Sequence, residues 1–204
     1  MSVAVLISGR GSNMHALLDA GLPITTVISN EPGAEGLETA AARGVATRVV
    51  EHRRFSGREA FEAALAGEID RVAPRLIVLA GFMRVLTPGF VARYKGKLLN
   101  IHPSLLPAFP GLRTHERVLA AGAKVHGCSV HFVTAELDHG PIVIQAAVPV
   151  RSEDTAETLA ARVLRQEHVI YPRAVNWFLE DRLVIEGDLV RVKGKDAQLV
   201  FSAD

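Results

Sequence analysis

Short runs of β-branched and aliphatic residues alternate with Ala- and Leu-rich stretches along most of the chain. That alternation constrains it to an α/β architecture, because each apolar strand needs helices to cover its faces. Val3-Ala4-Val5-Leu6-Ile7 reads as a fully buried first strand, and Ser12 or Asn13 is placed to cap a helix through Ala20 that Gly21 ends. Further strands are expected at Ile24 to Ile28, Ala46 to Val50, Leu76 to Ala80 and Leu98 to Ile101, with helices at Leu37 to Arg43, Arg58 to Val72, Pro88 to Tyr94 and Thr114 to Ala121.

From Val125 the pattern changes. Apolar and polar residues alternate through Val133 and again from Ile142 to Val150, which predicts strands with one wetter face. Asp154-Thr155-Ala156-Glu157 reads as a capping box opening a helix toward Leu179, kinked or broken near Tyr171 by Pro172. Leu183 to Val192, around Glu186-Gly187-Asp188, reads as a hairpin. The expected fold is an open, mostly parallel twisted sheet flanked by helices, Rossmann-like in the N-terminal half, with antiparallel strands in the C-terminal half. One domain is expected over 1–204, its halves meeting near residue 100.

Composition narrows the function. At 204 residues, with 49% hydrophobic and 22% charged side chains, the chain has the balance of a folded globular protein. A net charge of +1 argues against a general nucleic-acid or anionic-membrane surface. The longest apolar run, Leu76 to Met83, is far short of the roughly 20 residues that a membrane span needs. Cys128 stands alone, which excludes an intramolecular disulfide and fits a reducing, cytoplasmic setting.

Three segments carry chemistry. Ser8-Gly9-Arg10-Gly11-Ser12-Asn13 lies between a strand and a helix, where glycines let a ligand approach the backbone and a helix start favours an anion. It lacks the Gly-Lys-Ser/Thr of a Walker loop, and Met14 occupies the third glycine position of a dinucleotide fingerprint. Position favours a phosphate over a plain tight turn.

Asn100-Ile101-His102-Pro103-Ser104 ends a strand and enters a long loop, 103–113, with three prolines and a glycine. Residues i and i+2 share a strand face, so the Asn100 amide and the His102 imidazole can address one atom, as a tetrahedral acyl-transfer intermediate requires. A strand-end Asn beside a satisfied histidine fits equally well. Asp138, in the turn Thr134-Ala135-Glu136-Leu137-Asp138-His139-Gly140-Pro141, could pair with a histidine, although a turn Asp before Gly-Pro is the plainer reading.

A metal site is not supported: no His-Glu-x-x-His, no Cys-x-x-Cys and no close histidine pair of ligand spacing occurs. No Gly-x-Ser-x-Gly elbow exists. Arg43, Arg48, Arg53, Arg54 and Arg58 face only Glu51 within their stretch, which reads as a solvated basic face more readily than as a polyanion site.

Taken in order, several motifs match a known pattern. They are Val5-Leu6-Ile7-Ser8-Gly9-x-Gly11-Ser12-Asn13, Leu79-Ala80-Gly81-Phe82-Met83-Arg84 and Leu99-Asn100-Ile101-His102-Pro103-Ser104-Leu105-Leu106-Pro107. Ser129-Val130-His131-Phe132-Val133 with Glu136-Leu137-Asp138-x-Gly140-Pro141, and Gln166-Glu167-His168-x-Ile170-Tyr171-Pro172, complete the set. From about residue 3 to about 185 the chain closely resembles the folate-dependent phosphoribosylglycinamide formyltransferases of purine synthesis.

The resemblance implies that the amine of phosphoribosylglycinamide attacks the formyl carbon of 10-formyltetrahydrofolate, the co-substrate, with no metal, and that tetrahydrofolate leaves. It implies His102 as general acid, Asn100 as holder of the formyl oxygen, and Asp138 as the group that keeps His102 charged. Gly11, Ser12 and Asn13 would hold the ribose phosphate, and Glu167 the ribose or glycinamide end. Met83, Arg84, Val85 and Leu86 would line the pterin pocket with Asn100, Thr134, Ala135, Glu136, Leu137 and Asp138; Arg58 would meet the glutamate tail. Partners would be small molecules, with no nucleic acid or membrane, and the state a monomer or homodimer.

The chain departs from that pattern at Arg10, where Asn is common, at His139, where a second Gly is usual, and at Leu164, where a polar residue is often found. The alternatives are a formyltetrahydrofolate hydrolase, expected to carry an extra N-terminal domain, and a transfer-RNA formyltransferase, expected to carry an RNA-binding domain. A non-catalytic phosphate-binding module would explain the glycine loop but not Asn100, His102 and Asp138 together.

Overall fold

The structure, a computed structural model, describes residues 2–202. They divide into two compact units, Met1–Asn100 and Ile101–Asp204.

The first unit is built on β1 (Val3–Ile7), whose five aliphatic residues are all buried. A strand with no polar face must be covered on both sides and paired on both edges. β1 accordingly lies parallel to β2 (Ile24–Ser29) on one edge and to β4 (Leu76–Leu79) on the other. With β3 (Ala46–Val49) beside β2, and β5 (Leu98–His102) beside β4, the order is β3-β2-β1-β4-β5. The chain therefore builds outward from β1 and crosses back to resume on its other side. Parallel strands point the same way, so the segments after β1 and after β4 leave the sheet side by side where the winding reverses, the usual place for a ligand in such sheets.

Helices α1 (Ser12–Asp19), α2 (Glu35–Ala42), α3 (Arg58–Val72) and α4 (Pro88–Arg93) connect these strands. α3 buries Phe61, Leu65 and Ile69 at helical spacing, and ends at Ala73 in the left-handed region just before Pro74. The expected cap of α1 needs correcting. Neither Ser12 nor Asn13 caps it; Gly11 does, in the left-handed conformation (φ 71°), and it offers no side-chain hydrogen bond.

In the second unit, α5 (Thr114–Ala120) precedes the antiparallel pair β6 (Val125–Phe132) and β7 (Ile142–Pro149). The wetter face expected for β6 does not exist: every residue from His126 to Phe132 is buried. Helix α6 (Ala156–Leu179) packs on β6 and β7. The 103–113 loop covers Gly127 and Ser129. Ser129 Oγ accepts from the Leu106 amide (3.0 Å) and donates to the Ser104 carbonyl (2.7 Å), and a Cβ on Gly127 would come within 2.9 Å of Leu105.

α6 also differs from expectation. Its capping box joins Thr155 and Thr158 rather than Asp154 and Glu157, and the helix runs unbroken through Pro172. One lost backbone donor is outweighed there by the burial of Ile170, Tyr171, Pro172, Ala174 and Val175. The hairpin is present as β8 (Leu183–Glu186) and β9 (Leu189–Val192). A strand with no counterpart in the sequence reading, β10 (Leu199–Phe201), pairs parallel with β7.

Asp154 is freed from capping for another task. Its carboxylate takes two hydrogen bonds from Arg162, at 2.6 and 2.8 Å, with both side chains buried. The guanidinium beside it holds its carboxyl well below the usual range. Removing one partner of a buried pair strands the other charge. Arg162→Met should therefore lower the unfolding free energy by about 3 kcal/mol in urea titrations.

Candidate active site

The loop after β1 is shaped by Gly11, whose left-handed backbone turns the chain into α1; the His15 amide then donates to the Gly11 carbonyl at 2.9 Å. Ser12 and Asn13 follow as the first helical residues, with no acidic side chain in that turn to compete for an anion. A cavity of about 260 Å³ opens beside this loop, lined by Ser8, Gly9, Arg10, Glu31, Gly33, Ala34 and Glu35. Arg10, one of the three positions where the sequence departs from the pattern it resembles, lines that cavity and is exposed.

Ser8 ties this loop to the segment after β4. Its hydroxyl donates to Asn30 Oδ1 at 2.5 Å and accepts from the Met83 amide at 2.8 Å, while its own amide donates to the Gly81 carbonyl at 3.2 Å. Asn30, at the end of β2, is buried and in turn meets His52 Nδ1 at 3.2 Å. The far end of the segment is held by buried Glu62 of α3, which accepts from the Thr87 amide at 2.7 Å and from its hydroxyl. Between these clamps Met83 and Val85 are exposed and Leu86 is buried, with Arg84 intermediate. Exposed apolar side chains on a pinned backbone suit contact with an apolar or planar ligand.

The basic stretch is largely neutralised. Arg43 pairs with Asp19 (2.7 Å), Arg48 with Glu68 (3.7 Å), Arg53 with Glu31 (3.6 Å) and Arg54 with Glu51, three of these carboxylates coming from outside the stretch. Arg58, exposed on the first turn of α3, has no carboxylate within ion-pair distance among the described residues.

In the second unit His102 ends β5 and Asp138 stands in the turn before β7; their side chains are only 8% and 9% exposed. Asp138 Oδ2 lies 3.4 Å from His102 Nδ1 and accepts from the Gly111 amide at 2.8 Å. Asp138 adopts a left-handed backbone (φ 53°), which Asp tolerates better than most residues. Nε2 of His102 is 3.1 Å from the Phe109 carbonyl. A carbonyl only accepts, so Nε2 carries a proton; with Nδ1 protonated as well, each N–H would face an oxygen.

Other histidines surround this pair. His131 Nε2 lies 3.9 Å from Asp138 Oδ1, and burial pushes its pKa down to about 4 against the opposing pull of the Phe132 carbonyl and Asp138. A register shift in the β6–β7 ladder falls at Val130 and His131. Although no close histidine pair shows in the sequence, folding brings His115 Nδ1 within 3.1 Å of His126 Nε2. Burial lowers both, His126 to about 4, and the neighbouring His102 adds to the effect. Among the described residues no group of three or more His, Cys, Asp or Glu is arranged to hold a metal ion.

The remaining expected residues take varied places. Thr134 is half-buried, and its hydroxyl donates to the Glu136 carbonyl at 3.1 Å; Ala135, Glu136 and Leu137 are exposed. Glu167 is buried on α6. Burial first, and then the Glu167 charge, pushes the Cys128 thiol up and leaves it unreactive. Asn100 closes the first unit, two positions before His102 on β5. Sequence reading assigned no role to Ser8, Asn30 or Glu62, or to the Gly111 amide. Their parts depend on contacts with distant segments, and only Ser8, inside a glycine turn, carries a local signal.

Comparison with known proteins agrees in extent. The formyl transferase family model matches residues 1–175. The chain is 48% identical over 201 residues to phosphoribosylglycinamide formyltransferase of Escherichia coli (strain K12), covering 96% of this chain and 95% of that one. The solved phosphoribosylglycinamide formyltransferase of Coxiella burnetii superposes with a TM-score of 0.91 at 46% identity, covering 96% and 94% of the two chains. A formyltetrahydrofolate deformylase of Pseudomonas syringae superposes with a TM-score of 0.87 at 26% identity, covering 94% of this chain and 65% of its own.

The buried imidazoles set a pH limit. His126 and His131 have folded-state pKa values below the unfolded value, so the unfolded chain binds the extra protons. Their contribution to stability is whole above about pH 6.5 and is lost as pH falls toward 4, on the order of 3 kcal/mol each. The urea midpoint should fall steadily across that window; a flat profile would contradict the assignment.

Proposed function

The chain belongs to the formyl transferase family, and from that premise we propose how its residues divide the chemistry of formyl transfer. The activity is that of the phosphoribosylglycinamide formyltransferases of purine biosynthesis. The observation that carries the residue assignment is the buried His102–Asp138 pair, set at the end of a strand that also holds Asn100.

The donor is 10-formyltetrahydrofolate. The amine of phosphoribosylglycinamide attacks its formyl carbon, and the carbonyl oxygen becomes an oxyanion. The Asn100 amide donates to that oxygen, and the His102 imidazolium stabilises it. Substrates exchange with the Phe109 carbonyl at Nε2, and His102 then returns a proton to N10 as the carbon–nitrogen bond breaks. Asp138 holds the second N–H, and the proton released by the attacking amine balances the one delivered. His131, kept neutral by burial, leaves the Asp138 charge to His102.

Gly11, Ser12 and Asn13 hold the ribose phosphate and Glu167 the ribose or glycinamide end. Met83 to Leu86 and Thr134 to Asp138 receive the pterin, and Arg58, exposed at the start of α3, meets the glutamate tail. The enzyme acts on small molecules rather than nucleic acid, as a monomer or homodimer. One buried, unreactive thiol is compatible with a cytoplasmic setting.

The test follows release of the deformylated folate from a 10-formylfolate analogue with and without phosphoribosylglycinamide. Amine-dependent release is expected; amine-independent release would make the enzyme a hydrolase. His102→Ala and Asp138→Asn should lower kcat by at least about 100-fold with folate binding retained, and Asn100→Ala should raise the barrier by about 3 kcal/mol. Near-normal turnover in any of these removes that residue from the mechanism.

A further inference from the structure

We propose that Gly36, on α2, is a positioning residue for the phosphate loop, supplying from another helix the close approach that a third loop glycine gives in dinucleotide sites. This rests on reading residues 9–13 as the phosphate cradle.

Met14 fills that third position in this chain, and its side chain already lies against Gly11: a Cβ added to Gly11 would be 3.3 Å from Met14 Cε. The space that loop glycines usually provide is found instead between the loop and the second residue of α2. The Gly36 amide donates to the Gly9 carbonyl at 3.2 Å, and a Cβ on Gly11 would meet Gly36 Cα at 3.4 Å. A Cβ on Gly36 would be 2.6 Å from Ile7 Cδ1 and 3.2 Å from the carbonyl oxygens of both Gly9 and Arg10.

Gly36 has ordinary helical backbone, so no left-handed conformation demands glycine there. Glycine weakens a helix relative to alanine, and its presence is explained by space alone. Two kinds of atom crowd that space. Ile7 belongs to the core strand β1; the Gly9 and Arg10 carbonyls belong to the loop. A side chain at 36 therefore strains the core through Ile7 and displaces the loop through the carbonyls, and the two effects can be separated.

Gly36→Ala should raise KM for phosphoribosylglycinamide at least tenfold, with kcat and KM for the formylfolate held within twofold, and should also lower the melting temperature. Ile7→Val removes Cδ1, so Ile7→Val/Gly36→Ala should regain the melting temperature of Ile7→Val alone while keeping the raised KM. Gly11→Ala, inside the loop, is the reference. A raised KM in Gly11→Ala with none in the double variant overturns the role of Gly36 and leaves the cradle standing. No change in either variant overturns the cradle itself. A double variant whose KM rises equally for both substrates, or which does not fold, assigns Gly36 to the core and overturns the proposal.

Discussion

Parallel pairing on both edges of β1 is the constraint from which the first unit follows. A strand of five buried aliphatic residues cannot sit at an edge or face water, so it takes β2 on one side and β4 on the other. That arrangement makes neighbours of the segments after β1 and β4, which lie far apart in sequence. Ser8 fastens the two by accepting from the Met83 amide while donating to buried Asn30. Its hydroxyl uses donor and acceptor capacity at once, so the pocket-lining backbone is fixed by polar contacts and not by packing alone.

A second constraint, electrostatic, organises the other unit. Asp138 is nearly buried, and a buried carboxylate must find compensation nearby. It finds the Gly111 amide and the His102 ring, with His131 at a greater distance. Burial keeps His131 neutral above about pH 4, so that ring brings Asp138 no positive charge in the working pH range. The same contacts tie down the 103–113 loop, whose prolines exclude regular structure. It delivers the Gly111 amide and the Phe109 carbonyl to this pair, and it is anchored on β6 through Ser129.

Where sequence reading went astray, the cause was a contact beyond the local window. β6 alternates in composition yet is buried on both faces, because a loop covers what periodicity marks as wet. Pro172 has the local signature of a helix break and is overridden by packing on the sheet. Asp154 looks like a cap and is instead the partner of Arg162. The arginines of 43–58 look unneutralised only because three of the paired carboxylates lie outside that stretch.

Local pattern was enough for the order of strands and helices through β9, the glycine turn, the Asn100-x-His102 strand end and the polar turn holding Asp138, since each is written in the periodicity and composition of consecutive residues. Tertiary structure alone decided that Asp138 meets His102 rather than solvent, that Ser8 reaches Met83, that His115 meets His126 edge to face and that α2 must present a glycine to the loop. Those outcomes depend on strand order and on steric margins of a few tenths of an ångström between segments distant in the chain. No short-range preference encodes either quantity.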